Sequence, residues 1–283
     1  MSRLSGDELG IYVWLDALFN YLTVSGSPDC PHPWPPTAHI VGKDILRFHA
    51  IYWPAFLMAS GLSPPQRIVS HAHWTLGKTK MSKSKGNVID PLEQISKYGV
   101  DPLRYFLLKE GSLQHDGDYA EQRVAELLHS DLANNLGNLL QRVTARKLHP
   151  WGEHSEKAFR SGDLHLQDNT TRELVTTIES LPGLVDKHYE AFEFNKGISC
   201  VMDCLYRTNQ YLEHCKPWVL AGDSARWGQL EAVLAVAIVT LKTCNFLLYP
   251  IIPRSSQEAL SRLGVGSSPQ LGRPPLFSKI PNM

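Results

Sequence analysis

Up to about residue 100, short apolar runs alternate with stretches whose apolar residues recur every three or four positions, as strands alternating with helices do. Ile11, Val13 and Trp14 make the first such run, and Ala17, Leu18, Tyr21 and Leu22 line one side of the helix that follows. Turn-forming residues fill 25–36. His39-Ile40-Val41 reads as a strand, and Asp44 as the N-cap of a helix carrying Ile45, Phe48, His49, Tyr52 and Trp53, with Pro54 placed to kink it. A third strand is expected over 67–76. Strand–helix–strand spacing of this kind predicts a parallel sheet with ligands at the carboxyl ends of its strands.

Beyond residue 100 the period changes. Asp101 followed by Pro102 predicts a helix start, and from about Tyr119 onward the pattern is nearly all helical. Val124, Leu127, Leu128, Leu132, Leu136, Leu139, Leu140 and Val143 form one apolar stripe, and further helices are expected over 169–181, 186–214 and 226–249, with a shorter one after Pro253. Linkers rich in Pro, Gly and polar residues lie at 150–162 and 264–275. The predicted fold class is thus α/β then all-α, a parallel-sheet region followed by a helical bundle.

With 283 residues, 43% of them hydrophobic, the chain can bury one large core or two ordinary ones. Its 28 basic residues equal its 28 acidic ones, so any nucleic-acid contact must come from local patches. The five cysteines contain no C-x-x-C pair, which points to reduced thiols. Cys200, Cys204, His214 and Cys215 could together hold a metal, but all sit in a helical apolar pattern where cysteine packs as a small hydrophobe, and no bound metal is expected. The longest apolar stretch, 232–241, stops at Lys242 and reads as a core helix too short to span a bilayer, so no membrane partner is expected. Nothing at the N-terminus resembles a signal or transit peptide.

Candidate chemistry concentrates between Gly77 and Pro91. Lys78, Lys80, Lys83 and Lys85 lie between two glycines with no acidic residue before Asp90, and alternate with Ser82 and Ser84. Ammonium charges, hydroxyl donors and a backbone free to bend suit a polyphosphate. Residues 72–79 also approach the P-loop pattern, with Ala72 where its first glycine belongs, but no apolar helical face follows Thr79.

Lys80-Met81-Ser82-Lys83-Ser84 resembles the signature loop of class I aminoacyl-tRNA synthetases letter for letter. Residues 12–21 and 42–55 look like segments of the methionyl branch of that class, and 49–57 and 63–68 like its organellar members. The resemblance implies the second half of a Rossmann-like catalytic domain over 1–62, a signature-loop and tRNA stem-contact region over 63–115, and a helical anticodon-binding domain over 116–283. It implies that methionine is activated with ATP, carried with Mg2+, to methionyl-adenylate and then passed to tRNA(Met), by a monomer in the mitochondrial matrix. Lys80 and Lys83 are then the catalytic residues. Lys80, Met81, Ser82, Lys83, Ser84 and Asp44 bind ATP; Trp14, Ala17, Leu18, Tyr21, Ile45 and His49 line the methionine pocket; Asn138, Arg142 and Trp218 read the anticodon. The family's His-x-Gly-His tetrapeptide does not occur, so the resemblance is to the C-terminal part of such an enzyme, and activity of this chain alone is doubtful. A non-catalytic tRNA-binding remnant and a P-loop phosphohydrolase are the alternative readings.

Overall fold

In the computed structural model the described residues are 2–3, 10–11, 13–26, 34–82, 86–148, 168–266 and 268–277. Tyr12, Cys30, Lys83, Ser84, Lys85 and the expected linker at 150–162 lie outside them. The chain divides into two compact units, one of residues 1–73 with 113–116, the other of 74–112 with 117–283.

In the first unit β1 (Ser2–Arg3) pairs antiparallel with β2 (Gly10–Ile11), and α1 (Trp14–Ser25) follows. Trp14 therefore opens a helix instead of closing a strand, since Ala17 N–H already donates to Val13 O at 3.0 Å. Leu18 and Leu22, one turn apart, are buried with Trp53 and Leu57 in a small core. Gly26, in the left-handed region at φ 80°, ends the helix.

β3 (His39–Gly42) and β4 (Ile68–His71) pair in parallel, with His39 opposite Ile68. The crossover between them is not the single helix expected. A 3₁₀ turn (Lys43–Ile45) comes first, then a π turn (Phe48–Tyr52), then α2 (Trp53–Ala59). Asp44 is not a cap; Gly42 holds that position. Pro54 has no N–H to give and sits in the first turn of α2, so the register change falls just before it, where Trp53 N–H reaches back to Phe48 O. The single strand expected over 67–76 is two strands in different units, because β5 (Trp74–Leu76) changes partners. It pairs antiparallel with β6 (Thr79–Lys80) and parallel with β7 (Gly117–Asp118).

The second unit is mostly helical. α3 (Pro91–Tyr98) is capped by Asp90, whose Oδ1 accepts Leu92 N–H at 2.8 Å. α4 (Val100–Glu110) begins one residue before Asp101, which caps another helix instead: its Oδ2 accepts Ser255 N–H at 2.6 Å in the first turn of the helix Pro253–Arg262. Arg104 adds hydrogen bonds to Ile251 O and Pro250 O, at 2.8 and 2.7 Å.

The long helix over 121–143 is α5 (Glu121–Leu127), a π stretch (Leu128–Gly137) and α6 (Asn138–Val143). Leu128, Leu132, Leu136 and Leu140 recur every four residues, which suits a turn wider than 3.6, and all are buried. α7 (Asn169–Glu190) runs through Pro182 and Gly183, where a break was expected. Leu181 and Val185 carry on the stripe begun by Leu174 and Ile178, while Pro182 faces outward, where the carbonyl it leaves unpaired meets water. The chain turns instead at Phe192, φ 58°, into α8 (Phe194–Cys215). After α9 (Pro217–Leu220) comes α10 (Trp227–Leu248), and α11 (Pro253–Arg262) is the helix that Asp101 caps. α10 corrects the expectation of an apolar stretch too short for a bilayer, because with the 3₁₀ turn before it the helix is long and apolar enough to cross one by length and composition. Leu230, Leu234, Leu241 and Leu248 are nonetheless buried in the bundle core that α7 and α8 share.

Candidate functional site

In the first unit, aromatic rings converge between α1 and the π turn. Trp14 stacks on Phe48, centroids 3.9 Å apart and planes 6° apart, and meets the edge of His49 at 6.1 Å. His49 is buried, its Nδ1 3.0 Å from Ile45 O and its Nε2 2.8 Å from Tyr21 Oη. A carbonyl only accepts, so Nδ1 is the donor to Ile45 O, while Nε2 shares its hydrogen bond with the Tyr21 hydroxyl. Burial raises the Tyr21 hydroxyl above its ordinary range. His39 of β3 lies 4.3 Å from Tyr21 and 6.0 Å from His49, and its pKa is lowered by burial and by the neighbouring His49. Sequence patterning had passed over His39 and Phe48 as site residues, since a strand start and a helical aromatic carry no chemical signal of their own. The structure brings Trp14, Tyr21, Ile45 and His49 together; Leu18 lies in the small core beneath, and Ala17 is exposed.

Asp44 stands on the turn after β3. His73 Nε2 donates to its Oδ1 at 3.2 Å, and a Cβ on Gly42 would meet the same oxygen at 2.9 Å, so glycine permits the approach. Beside it Asp116 Oδ1 accepts from Lys43 Nζ at 2.6 Å and from His73 N–H at 2.8 Å; Lys43 first and then that amide hold its carboxyl below the usual range. Neither partner was legible, because Asp116 lies 73 residues from Lys43 and 43 from His73 in the chain.

In the second unit Gly77 and Lys78, both at positive φ, form the tight turn between β5 and β6. Asp118 holds that turn, its Oδ1 accepting from Thr75 Oγ1 at 2.6 Å and from Lys78 N–H at 2.9 Å. Thr79 enters a strand rather than a helix, so no helix N-terminus cradles a phosphate, and the P-loop reading is ruled out. Lys80 ends β6 and is exposed, and Met81 packs against the bundle core. The Asn87 side chain bridges the backbone on either side of Met81, accepting Ser82 N–H at 2.9 Å and donating to Lys80 O at 3.2 Å. Lys83 and Ser84, the remaining loop residues singled out, lie outside the described residues.

On the helical side of this unit Arg142 Cζ lies 5.0 Å from the centre of the Trp218 ring and its Nη2 2.8 Å from Glu213. Lys216, at φ 47°, ends α8; Pro217 after it is buried, while the Trp218 indole is 46% exposed, enough to receive a stacked ring. Asn138 is exposed one turn before Arg142. Cys204 and Cys244 share a thiol hydrogen bond in the core, and burial pushes Cys244 up. Among the described residues no three metal-binding side chains come together.

Family models match both regions: tRNA synthetases class I (M) over residues 5–144, and the anticodon-binding domain of tRNA ligase over 171–278. The chain belongs to the class I tRNA synthetases. Within that class it is similar to methionine–tRNA ligases. It is 44% identical to the mitochondrial enzymes of Mus musculus and Homo sapiens over 93% of its own length, covering 47% and 46% of theirs. The Caldanaerobacter subterraneus methionine–tRNA ligase is 37% identical over 90% of this chain and 40% of its own. Mycobacterium tuberculosis methionyl-tRNA synthetase in complex with methionyl-adenylate superposes with a TM-score of 0.81 at 32% identity, covering 94% of this chain and 55% of that one. The chain spans about half the length of the curated relatives it matches.

Proposed function

We propose that this chain supplies the methionine-binding, signature-loop and anticodon-reading parts of a methionine–tRNA ligase. The methionine carboxylate attacks the α-phosphate of ATP and pyrophosphate leaves; a terminal ribose hydroxyl of tRNA(Met) then attacks the adenylate carbonyl and AMP leaves. The observation that carries this reading is the buried His49 fixed by Tyr21 Oη and Ile45 O beside Trp14. A buried aromatic site suits a thioether, which gains S–aromatic contacts there.

Trp14, Ala17, Leu18, Tyr21, Ile45 and His49 are assigned to methionine. Lys80, Met81, Ser82, Lys83, Ser84 and Asp44 are assigned to ATP and its Mg2+, with Lys80 and Lys83 meeting the charge that develops on the phosphates. Asn138, Arg142 and Trp218 are assigned to the anticodon, which the exposed indole beside Arg142 supports. The functional divisions are 1–62, 63–115 and 116–283. The enzyme acts as a monomer in the mitochondrial matrix; the names of its relatives support the organelle.

Because the chain spans about half of those relatives, tRNA binding without catalysis is the second reading. Methionine-dependent ATP–pyrophosphate exchange, measured beside binding of a CAU-anticodon tRNA, separates the two. Exchange that falls about 10²–10³-fold in Lys83→Ala supports the ligase. Binding with no exchange leaves the RNA-binding reading, and loss of both overturns each.

A further inference from the structure

None of the residues assigned to methionine, ATP or the anticodon lines the depression between the end of α3, the start of α4 and the first turn of α11. It holds about 330 Å³, and every residue around it belongs to the second unit. Its floor is apolar, with Leu128 and Phe277 buried at the base and Leu276 beside them. Leu276 and Phe277 lie on a segment that the buried Arg262 fastens, donating from Nη1 to Pro274 O at 2.7 Å.

Two charged groups in this depression are left over by the fold. Asp101, only 4% exposed, spends Oδ2 on Ser255 N–H at 2.6 Å, while its Oδ1 is buried with no hydrogen-bond partner among the described residues. Buried polar atoms are nearly always paired, so this oxygen marks a place for a donor from outside the fold. Arg254, in the first turn of α11, is exposed and makes no hydrogen bond or ion pair with any described residue. Lys97, the other cation of the lining, is committed to Glu121 Oε2 at 2.6 Å.

A phosphate would serve Arg254 but bring negative charge against Asp101, and a metal ion would find one carboxylate among two cations. An oxygen lacking a donor, a guanidinium lacking an acceptor and an apolar floor match the ammonium, carboxylate and side chain of one small molecule. We propose that this depression binds a free α-amino acid with an apolar side chain, its ammonium on Asp101 Oδ1, its carboxylate on Arg254 and its side chain over Leu128 and Phe277. The aromatic methionine site belongs to the first unit, so the two sites stand or fall separately.

The test is a titration of the full chain with L-leucine, followed by two-dimensional NMR at the amides of Asp101, Ser255 and Phe277. Leucine is the probe because methionine would also enter the aromatic site. Saturable shifts at those three amides are expected. N-acetyl-leucine, which lacks the ammonium, and leucinamide, which lacks the carboxylate, should each bind about tenfold or more weakly than leucine. Arg254→Gln, at an exposed position, should weaken leucine by a similar factor and leave leucinamide unchanged. Asp101→Asn keeps an acceptor for Ser255 N–H and, with folding checked by circular dichroism, should weaken leucine but not N-acetyl-leucine; if it fails to fold, Arg254→Gln decides. No shift at these amides, shifts only around Trp14 and His49, analogues that bind as well as leucine, an Arg254→Gln chain that binds like the parent, or saturation by inorganic phosphate in place of leucine would each overturn the site.

Discussion

The Tyr21 hydroxyl and His49 Nε2 share a hydrogen bond at 2.8 Å. Tyr21→Phe leaves that nitrogen buried without its partner and should cost about 1–3 kcal/mol, measured as a lower urea midpoint at unchanged m-value. His39 shows a second effect of the same crowding. Its pKa is lowered, so below the ordinary imidazole value of 6.5 the unfolded chain binds the proton more readily than the folded one. Stability should therefore fall as pH drops below about 6.5, and thermal melts of His39→Gln between pH 5 and 7.5 should show a weaker dependence. Trp218→Ala should cost about 1–3 kcal/mol of binding to a CAU tRNA, and much less against one with an altered anticodon, as titration of both RNAs with both proteins would show. Lys80, Met81 and Ser82 were legible as residues, through charge, spacing and resemblance. The proton on His49 Nδ1 was not, because a tautomer depends on a carbonyl that only the folded turn supplies.

Helices here begin and end according to what packs against them. Asp101 sits where a local N-cap belongs, before Pro102, yet its carboxylate stabilises α11 from α4, across more than 150 residues of chain. Asp101→Ala should destabilise the second unit by about 1–2 kcal/mol in denaturant melts, the size of a lost cap, although the substitution favours helix within α4. The opposite conflict occurs at Pro182, which local preference reads as a helix end. α7 continues because Leu181 and Val185 are buried on its inner face, and the proline faces outward. Pro182→Ala should thus raise stability by about 1–3 kcal/mol in the same melts. The four-residue spacing of Leu128, Leu132, Leu136 and Leu140 was visible as a stripe, but that it marks a π stretch follows from the backbone alone.

Over the whole molecule, equal numbers of basic and acidic residues leave no long-range pull on RNA, so affinity has to come from stacking and local contacts. Raising salt from 50 to 200 mM should weaken tRNA binding by about tenfold or less, as expected for roughly two phosphate contacts; a much steeper loss would mean a larger basic surface. The order of an α/β region before a helical one, the apolar stripe of 124–143, the exposed indole after α8 and the lysine loop were all determined by local pattern, because periodicity and turn chemistry act within a few residues. Tertiary structure alone decided that the run over 67–76 divides between two units, that Asp116 joins Lys43 and His73, and that Asp101 caps α11. Each of these depends on groups far apart in the chain. Their free energy comes from burial and hydrogen bonds formed only when distant elements pack, and no local window of the sequence contains both partners.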